Sequence, residues 1–233
     1  MAVDDANTVC LMHFDDVDGA TTFTDESGKT FTGNGNAQID TDQSKFGGSS
    51  LLLDGVGDNV VSDSVSADFN MGGTADWTVD WQVRPDSVSG SKSMLTFYKG
   101  TGTALHIKSY GTALQVDNAA VGFISIANVL SVSNWFWIIV ERYLSYVYVY
   151  VNGRPLAFGP SPDFGNGNSK LYIGSMHNNT EYYAGRLDEI RVSRVARIDP
   201  DILIPNAAYP IPTIGNHNAM RSRNRRCGSI NLS

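Results

Sequence analysis

The chain has 233 residues, of which 42% are hydrophobic and 10% aromatic, and its net charge is −7. Single β-domains of about 200–250 residues are common, so one domain with a sizeable core accounts for this length. No run of about 18 apolar residues occurs, and the opening residues MAVDDANT lack the basic and apolar regions of a leader, so we expect no membrane span and no signal peptide.

The acidic character lies in the first 210 residues, which hold 13 basic and 24 acidic side chains. An acidic surface repels phosphate backbones, so nucleic acid is not an expected partner for this part of the chain. The last 23 residues contain no acids and four arginines, Arg221, Arg223, Arg225 and Arg226. This basic tail could dock on an acidic neighbouring subunit, or it could be a disordered, solubilising end.

Short runs of β-branched and aromatic residues follow one another along the chain, separated by Gly, Ser and Asn. We predict strands over 9–14, 49–54, 59–62, 77–83, 93–99, 104–108, 113–116, 121–126, 135–141, 146–151 and 170–174, and then over the stretch GRLDEIRVSRVAR at 185–197. The run 77–83 alternates cleanly, which predicts one buried face and one solvent or edge face. About a dozen strands with turns every 8–12 residues predict an all-β fold, an antiparallel β-sandwich.

The order of the motifs between residues 9 and 210 resembles the laminin-G-like, concanavalin A-like lectin/glucanase superfamily, in the variant found in bacteriophage and marine-virus structural proteins. The motifs are LMHFDD, SKFGGSSLLLDGVGDNV, DWTVDWQVRP, YVYVYVNGRP, LYIGS and YYAGRLDEIRVSRVAR. The resemblance implies a jelly roll of two curved antiparallel sheets. It also implies three regions: an extension at 1–8, the laminin-G-like domain at 9–210 and the Arg-rich tail at 211–233.

The resemblance further implies one structural calcium ion. The positions that match the family's ligands are Asp15, the backbone carbonyl of Gly47 or Gly48, and Asp188. Calcium takes six to eight oxygen ligands, so carboxylates and carbonyls together suit it. Alternatively, Asp188 is a solvent-facing carboxylate that accepts hydrogen bonds from loop amides. In either case, strand alternation predicts that Glu189 points to the opposite face.

A catalytic role is not expected. Glycosidases need two carboxylates flanking the scissile bond, and glucanases of this fold carry them as Glu-x-Asp-x-x-Glu on one strand. That pattern is absent here: Asp80 stands alone in its strand, and Asp188 and Glu189 are adjacent. The four histidines show no metal-binding spacing.

Glycan binding suits the sequence better, because the loop SMHNNTEYYAG at 175–185 is polar and rich in amides and tyrosines. The candidate ligand-binding residues are His177, Asn178, Asn179, Tyr182 and Tyr183, together with Tyr98 and Tyr110. The alternative is that the two adjacent tyrosines begin the last strand and one of them packs inward.

We therefore predict a non-catalytic virion structural protein, exposed on a phage particle as an adhesion, tail-fibre or capsid-decoration component. Its expected partners are other virion subunits or further copies of itself, with a cell-surface glycan as a possible ligand. The alternatives are a free-standing carbohydrate-binding lectin domain and a degenerate glucanase-fold protein. Multimerisation would favour the first over the second.

Overall fold

A computed structural model of the chain describes residues 5–118 and 122–198. These ranges contain fifteen strands and one short 3₁₀ turn, Ala67–Phe69. The strands are β1 (Thr8–Met12), β2 (Phe31–Asn34), β3 (Gln38–Asp40), β4 (Ser50–Asp54), β5 (Asn59–Ser62), β6 (Trp77–Pro85), β7 (Ser91–Tyr98), β8 (Thr103–Tyr110), β9 (Ala113–Asp117), β10 (Gly122–Ile126), β11 (Phe136–Tyr143), β12 (Tyr146–Val151), β13 (Arg154–Pro160), β14 (Lys170–Ile173) and β15 (Ala184–Ser193). The four arginines of the predicted tail and the predicted boundary at residue 210 lie outside the described residues.

The strands form two antiparallel sheets that pack face to face, which confirms the predicted all-β jelly-roll sandwich. Sheet A has the order β13-β12-β11-β6-β15-β4-β3, and β1 also pairs with β15. Sheet B has the order β10-β9-β8-β7-β14-β5-β2. Within the described ranges, no helix is long and apolar enough to cross a membrane.

The core forms between the sheets because alternate residues of each strand point to the same side. In β6, Trp77, Val79, Trp81 and Val83 all have no exposed surface, as their spacing predicts. They pack in one continuous cluster with inward-facing residues of sheet B such as Leu171.

The opposite face of β6 differs from the prediction, because it is buried as well. Asp80 is 6% exposed and makes a two-pronged ion pair with Arg191, with N–O distances of 2.9 and 3.1 Å. Thr78 Oγ1 donates to Glu141 Oε2 at 2.8 Å, and the backbone N–H of Ile198 donates to the same carboxylate at 2.9 Å. The chain that follows β15 therefore crosses the outer face of sheet A over Thr78 and Glu141.

Three strands were absent from the sequence prediction, and all three lie at sheet edges. β3 and β13 end sheet A, and β2 ends sheet B. The sequences FTGN and QID of β2 and β3 lack an alternating apolar pattern. An edge strand pairs on one side only and often buries little, so its sequence carries a weak strand signal.

The last strand, β15, contains a bulge that corrects the predicted orientation of Glu189. The register with β6 shifts between Asp188 and Arg191, and Glu189 has a φ of 53°. Leu187 and Ile190 both enter the core with no exposed surface. A bulge sets two residues against one on the partner strand, so the two acids between them both lie toward the outer side of sheet A.

Candidate functional site

The outer face of sheet B carries a row of side chains that crosses six neighbouring strands. The strand register aligns Thr32 of β2, Val61 of β5, Tyr172 of β14, Thr96 of β7, His106 of β8 and Asp117 of β9. Neighbouring strands lie about 4.8 Å apart, so the row is roughly 24 Å long. Residues from distant parts of the sequence thereby share one surface.

A groove with a volume of about 440 Å³ lies at the β2 end of this row, between the sheet and the loop 175–183. Its lining combines planar amides, hydroxyls and aromatic rings. The lining residues include Thr32, Asn34, Asn59, Asp63, Lys170, Tyr172, His177, Asn179 and Tyr182. The volume is within the range of small-ligand sites, and the lining is more polar than in most of them.

Hydrogen bonds between strands fix the amides in the groove. Asn34 Nδ2 donates to Asn59 Oδ1 at 2.7 Å, and Asn59 Nδ2 donates to Ser175 Oγ at 2.9 Å. Asn59 is only 2% exposed, so its orientation is set by these two contacts. The chain of bonds connects β2, β5 and the start of the 175–183 loop.

The carboxylate and the lysine that line the groove are placed close enough to influence each other. Thr32 Oγ1 donates a 2.7 Å hydrogen bond to Asp63 and, as the main cause, lowers the pKa of its carboxyl group, with a further contribution from the charge of Lys170. Asp63 is the one carboxylate among the described lining residues. Its low pKa keeps it ionised, which suits a hydrogen-bond acceptor better than a proton donor.

The loop 175–183 forms the wall of the groove opposite the sheet, and the contacts of His177 hold this loop against β7 and β8. The His177 ring stacks on Tyr98 with centroids 3.8 Å apart and an interplanar angle of 4°. Thr103 Oγ1 lies 3.3 Å from His177 Nδ1. Burial lowers the pKa of His177, and the nearby His106 adds to this effect. The imidazole is therefore held as a flat, mostly neutral surface at neutral pH.

The structure brings together most, but not all, of the ligand-binding residues predicted from the sequence. His177, Asn179 and Tyr182 line the groove, and Tyr98 supports it from beneath His177. Asn178 is exposed in the same loop, where its side chain accepts a 2.6 Å hydrogen bond from Thr180.

Two of the predicted tyrosines are placed elsewhere. Tyr183 has no exposed surface and belongs to the core, because it is the residue at the start of the last strand that packs inward. It is therefore not available to a ligand. Tyr110 is 62% exposed at the far end of β8, seven residues from Thr103, which is about 23 Å along the strand.

Several lining residues were missed by the sequence reasoning. Tyr172 had a usable signal: in the run KLYI, Leu171 and Ile173 face the core, so alternation sends Tyr172 to the outer face. Asn34 and Asn59 had none, because their proximity depends on the pairing of β2 with β5.

The predicted calcium ligands lie on sheet A, where β15 changes its neighbour from β4 to β1. Asp188 has no exposed surface, and its Oδ2 accepts backbone hydrogen bonds from Lys45 at 2.8 Å and Phe46 at 3.0 Å. Its other oxygen, Oδ1, is buried without a hydrogen-bond partner. Burial, followed by the charges of Glu189 and Asp15, raises the pKa of Asp188 to about 7, against the effect of the two amide bonds.

The other residues of that prediction surround Asp188. Gly47 has a φ of 63°, and a side chain there would collide with the Asp15 carboxylate, so glycine is required for this close approach. Gly48 is exposed with open space around its Cα. Glu189 pairs with His13 Nδ1 at 2.9 Å. No group of three or more His, Cys, Asp or Glu side chains within the described part of the chain has the arrangement of a metal site, so any cation here would need backbone oxygens.

A family model described as concanavalin A-like lectin/glucanases superfamily matches residues 54–203, which is more than half of the chain. A search of curated proteins found no match.

Solved structures with the same fold include a domain of an arabinanase and binding domains of botulinum neurotoxins. Domain 4 of AbnA, a GH43 extracellular arabinanase from Geobacillus stearothermophilus, solved in complex with arabinotriose, is 17% identical with a TM-score of 0.63, over 86% of this chain and 98% of that one. The botulinum neurotoxin serotype D binding domain is 12% identical with a TM-score of 0.62, over 84% of this chain. The binding domain of botulinum neurotoxin DC, in complex with SialylT, is 12% identical with a TM-score of 0.60. The chain spans 50% of the length of each of these two toxin structures.

Proposed function

Because the chain belongs to the concanavalin A-like lectin/glucanase superfamily, we propose that the groove on sheet B binds a saccharide and that the protein acts as a glycan-binding module. The observation that carries this proposal is the convergence of fixed amides and aromatic rings in one 440 Å³ groove. Each element comes from a different part of the chain: Asn34 from β2, Asn59 from β5, Tyr172 from β14, and His177 and Tyr182 from the loop.

The chemistry of a sugar ring suits this lining. Sugar hydroxyls both donate and accept hydrogen bonds, and an amide side chain offers an acceptor oxygen and two N–H donors in one plane. Aromatic rings offer flat apolar surfaces for the C–H faces of a sugar. Two of the solved neighbours are complexes, one with arabinotriose and one with SialylT, which supports the proposal by analogy of fold.

Binding without cleavage is the form of this proposal that the groove favours. Hydrolysis ordinarily uses a carboxylate pair, one member of which has a raised pKa and acts as the acid. Asp63 instead has a lowered pKa. The experiment below measures cleavage alongside binding, so the alternative of a glucanase-type activity is tested directly.

The experiment is a binding screen with purified protein, using arabinotriose, a sialylated oligosaccharide and a panel of neutral oligosaccharides. We expect at least one to bind, and we expect Tyr182→Ala and Asn34→Ala each to weaken binding roughly tenfold, the loss of about one contact. Tyr110→Ala is the matched control, since it removes an exposed tyrosine at the far end of β8.

Three outcomes decide the matter. Equal loss in Tyr110→Ala would move the site away from the groove. Absence of binding across the panel would overturn the proposal. Shortened saccharides after prolonged incubation, found with wild type and lost in Asp63→Asn, would replace a binding module with a hydrolase.

We also infer that the Asp188 site holds a calcium ion. Three observations support this inference. Asp188 Oδ1 is buried and unpartnered, the Asp15 carboxylate adds charge nearby, and Gly47 lets that carboxylate approach closely. Asp188, Asp15 and a carbonyl of Gly47 or Gly48 would hold the ion. A bound cation would balance the carboxylates and fasten the 45–48 loop to β15.

The location on a phage particle stays a prediction, and so do the other virion subunits as partners. A surface glycan-binding module suits an adhesion role as well as it suits a free-standing lectin domain. Solution mass distinguishes them, because a particle component is expected to form a defined oligomer.

A further inference from the structure

The row of side chains that starts in the groove ends in a buried polar cluster. His106 has no exposed surface, and its Nε2 lies 3.0 Å from Ser93 Oγ, which in turn lies 2.9 Å from Thr96 Oγ1. His106 Nδ1 lies 3.3 Å from Asp117 Oδ1, too poorly aligned for a hydrogen bond. His106 is therefore a buried polar side chain that lies within 4 Å of two carboxylates.

The second carboxylate comes from the groove loop itself. Glu181 Oε2 accepts a 2.8 Å hydrogen bond from Ser91 Oγ and lies 3.7 Å from His106 Nε2. The Glu181 carbonyl accepts a 2.7 Å hydrogen bond from the backbone N–H of Ser93. Glu181 thus fastens the loop to β7 and β8 at a second point, in addition to the contacts of His177 with Tyr98 and Thr103.

The attachment of Glu181 positions the groove-lining residues next to it in the loop. Asn179 and Tyr182, on either side of Glu181, line the groove, whereas the Glu181 side chain enters the buried cluster. Glu181 has a φ of 54°, a left-handed conformation that glutamate rarely adopts unless its surroundings restrain it, whereas the φ of 58° at Asn179 is ordinary for asparagine. The contacts of Glu181 supply that restraint.

We propose that Glu181 and His106 form a latch that holds the groove loop in its ligand-ready conformation, and that protonation of His106 tightens the latch. This inference rests on the proposed glycan-binding function. Glu181 and His106 are positioning residues, since neither lines the groove.

The charges around His106 determine the direction of the effect. Asp117 faces it from β9 and Glu181 from the loop; Lys108 of its own strand lies 3.3 Å from Asp117 and 4.0 Å from Glu181. The residues that face it from β7, Ser93 and Thr96, are uncharged. With neutral His106 the cluster has two carboxylates and one ammonium group, whereas protonated His106 balances the charge and gives both ring nitrogens a proton to donate.

The remaining titratable group near His106 is His177, which is on the same loop and faces the groove. Its protonation could also change the loop, so a test has to separate the two histidines.

The test is amide hydrogen exchange of the full-length free protein at pH 5.5 and pH 8.0, expressed as protection factors to remove the intrinsic effect of pH. We expect the amides of residues 176–183 to be better protected at pH 5.5. We expect Glu181→Gln to reduce their protection by roughly ten- to a hundredfold at pH 5.5, the loss of a charge-assisted contact. His106→Gln should abolish the pH response, and His177→Gln should retain it.

Equal loop protection at the two pH values, or a response that survives in His106→Gln and disappears in His177→Gln, would overturn the latch. Ser91→Ala removes one hydrogen bond to Glu181 at a half-buried position, so it tests the latch even if His106→Gln does not fold. Because exchange is measured without ligand, failure of the latch is distinguishable from failure of glycan binding. For any saccharide that binds in the screen above, Glu181→Gln should weaken its affinity while leaving the melting temperature of the sandwich nearly unchanged.

Discussion

Replacing Asp188 with asparagine tests the buried carboxylate on sheet A. The asparagine side chain would keep an oxygen to accept the backbone N–H groups of Lys45 and Phe46, and the substitution would remove the charge. The folded protein raises the pKa of Asp188 from 3.8 to about 7. This difference corresponds to roughly 4 kcal/mol by which the folded state prefers the protonated form.

The sign follows from proton linkage. The folded state holds its proton up to about pH 7, whereas the unfolded chain loses it near pH 3.8. The stability that protonated Asp188 contributes to the folded state is therefore fully present below about pH 3.8 and is lost as the pH rises through 7. Between pH 5.0 and 7.5 the loss is about 2.5 kcal/mol, which lowers the melting temperature by roughly 5–10 °C for a domain of this size.

The assay is thermal unfolding of wild type and Asp188→Asn at pH 5.0 and 7.5, each in EDTA and in millimolar calcium. In EDTA, the wild type should lose stability across this interval by about 2.5 kcal/mol more than the variant. Calcium should restore most of that loss in the wild type at pH 7.5 and have little effect on the variant. Parallel pH profiles for the two proteins in EDTA would refute the reasoning about burial, and a melt unaffected by calcium would refute the metal site.

Two further changes test the packing around the site-bearing sheets. Asp80→Ala should destabilise the domain by about 3–5 kcal/mol, because it leaves the Arg191 guanidinium half-buried without its carboxylate. Denaturant unfolding measures this loss of stability. A loss below about 1 kcal/mol would show that the ion pair is effectively solvated. Gly185→Ala should lower the free energy of unfolding more than Gly90→Ala does in the same experiment. Both glycines have a positive φ, but only at Gly185 would an added Cβ press against the backbone of Arg84 and Asp86. Equal losses of stability would show that the backbone at Gly185 shifts freely.

The strands that build the core were predictable because their signal is local. The alternation in β6 and the dense β-branched and aromatic runs of β11 and β12 give correct positions to within a few residues. In β12, Tyr148 packs across strands on Phe158 of β13, with ring centroids 5.7 Å apart. Hydrophobic periodicity depends only on neighbouring residues, so one sequence suffices to read it.

The groove was predictable only in part. A loop at 175–185 was predicted from its composition, and its residues His177, Asn179 and Tyr182 do line the groove. Their partners on β2 and β5 lie more than 100 residues earlier in the chain. The pairing of those strands places them there, and no local pattern encodes that pairing.

The sequence by itself determined an all-β sandwich and the inward-facing residues of β6, and it predicted a binding loop at 175–185, because each depends on the order of residue types along a short stretch. Only the tertiary structure decided that both Asp188 and Glu189 lie toward one side of sheet A, since a bulge adds a residue and interrupts the alternation. The tertiary structure alone also set His106 between Asp117 and Glu181, because three strands and a returning loop meet at that point. The burial of His106 and the charges around it therefore depend on contacts between segments that are far apart in the sequence.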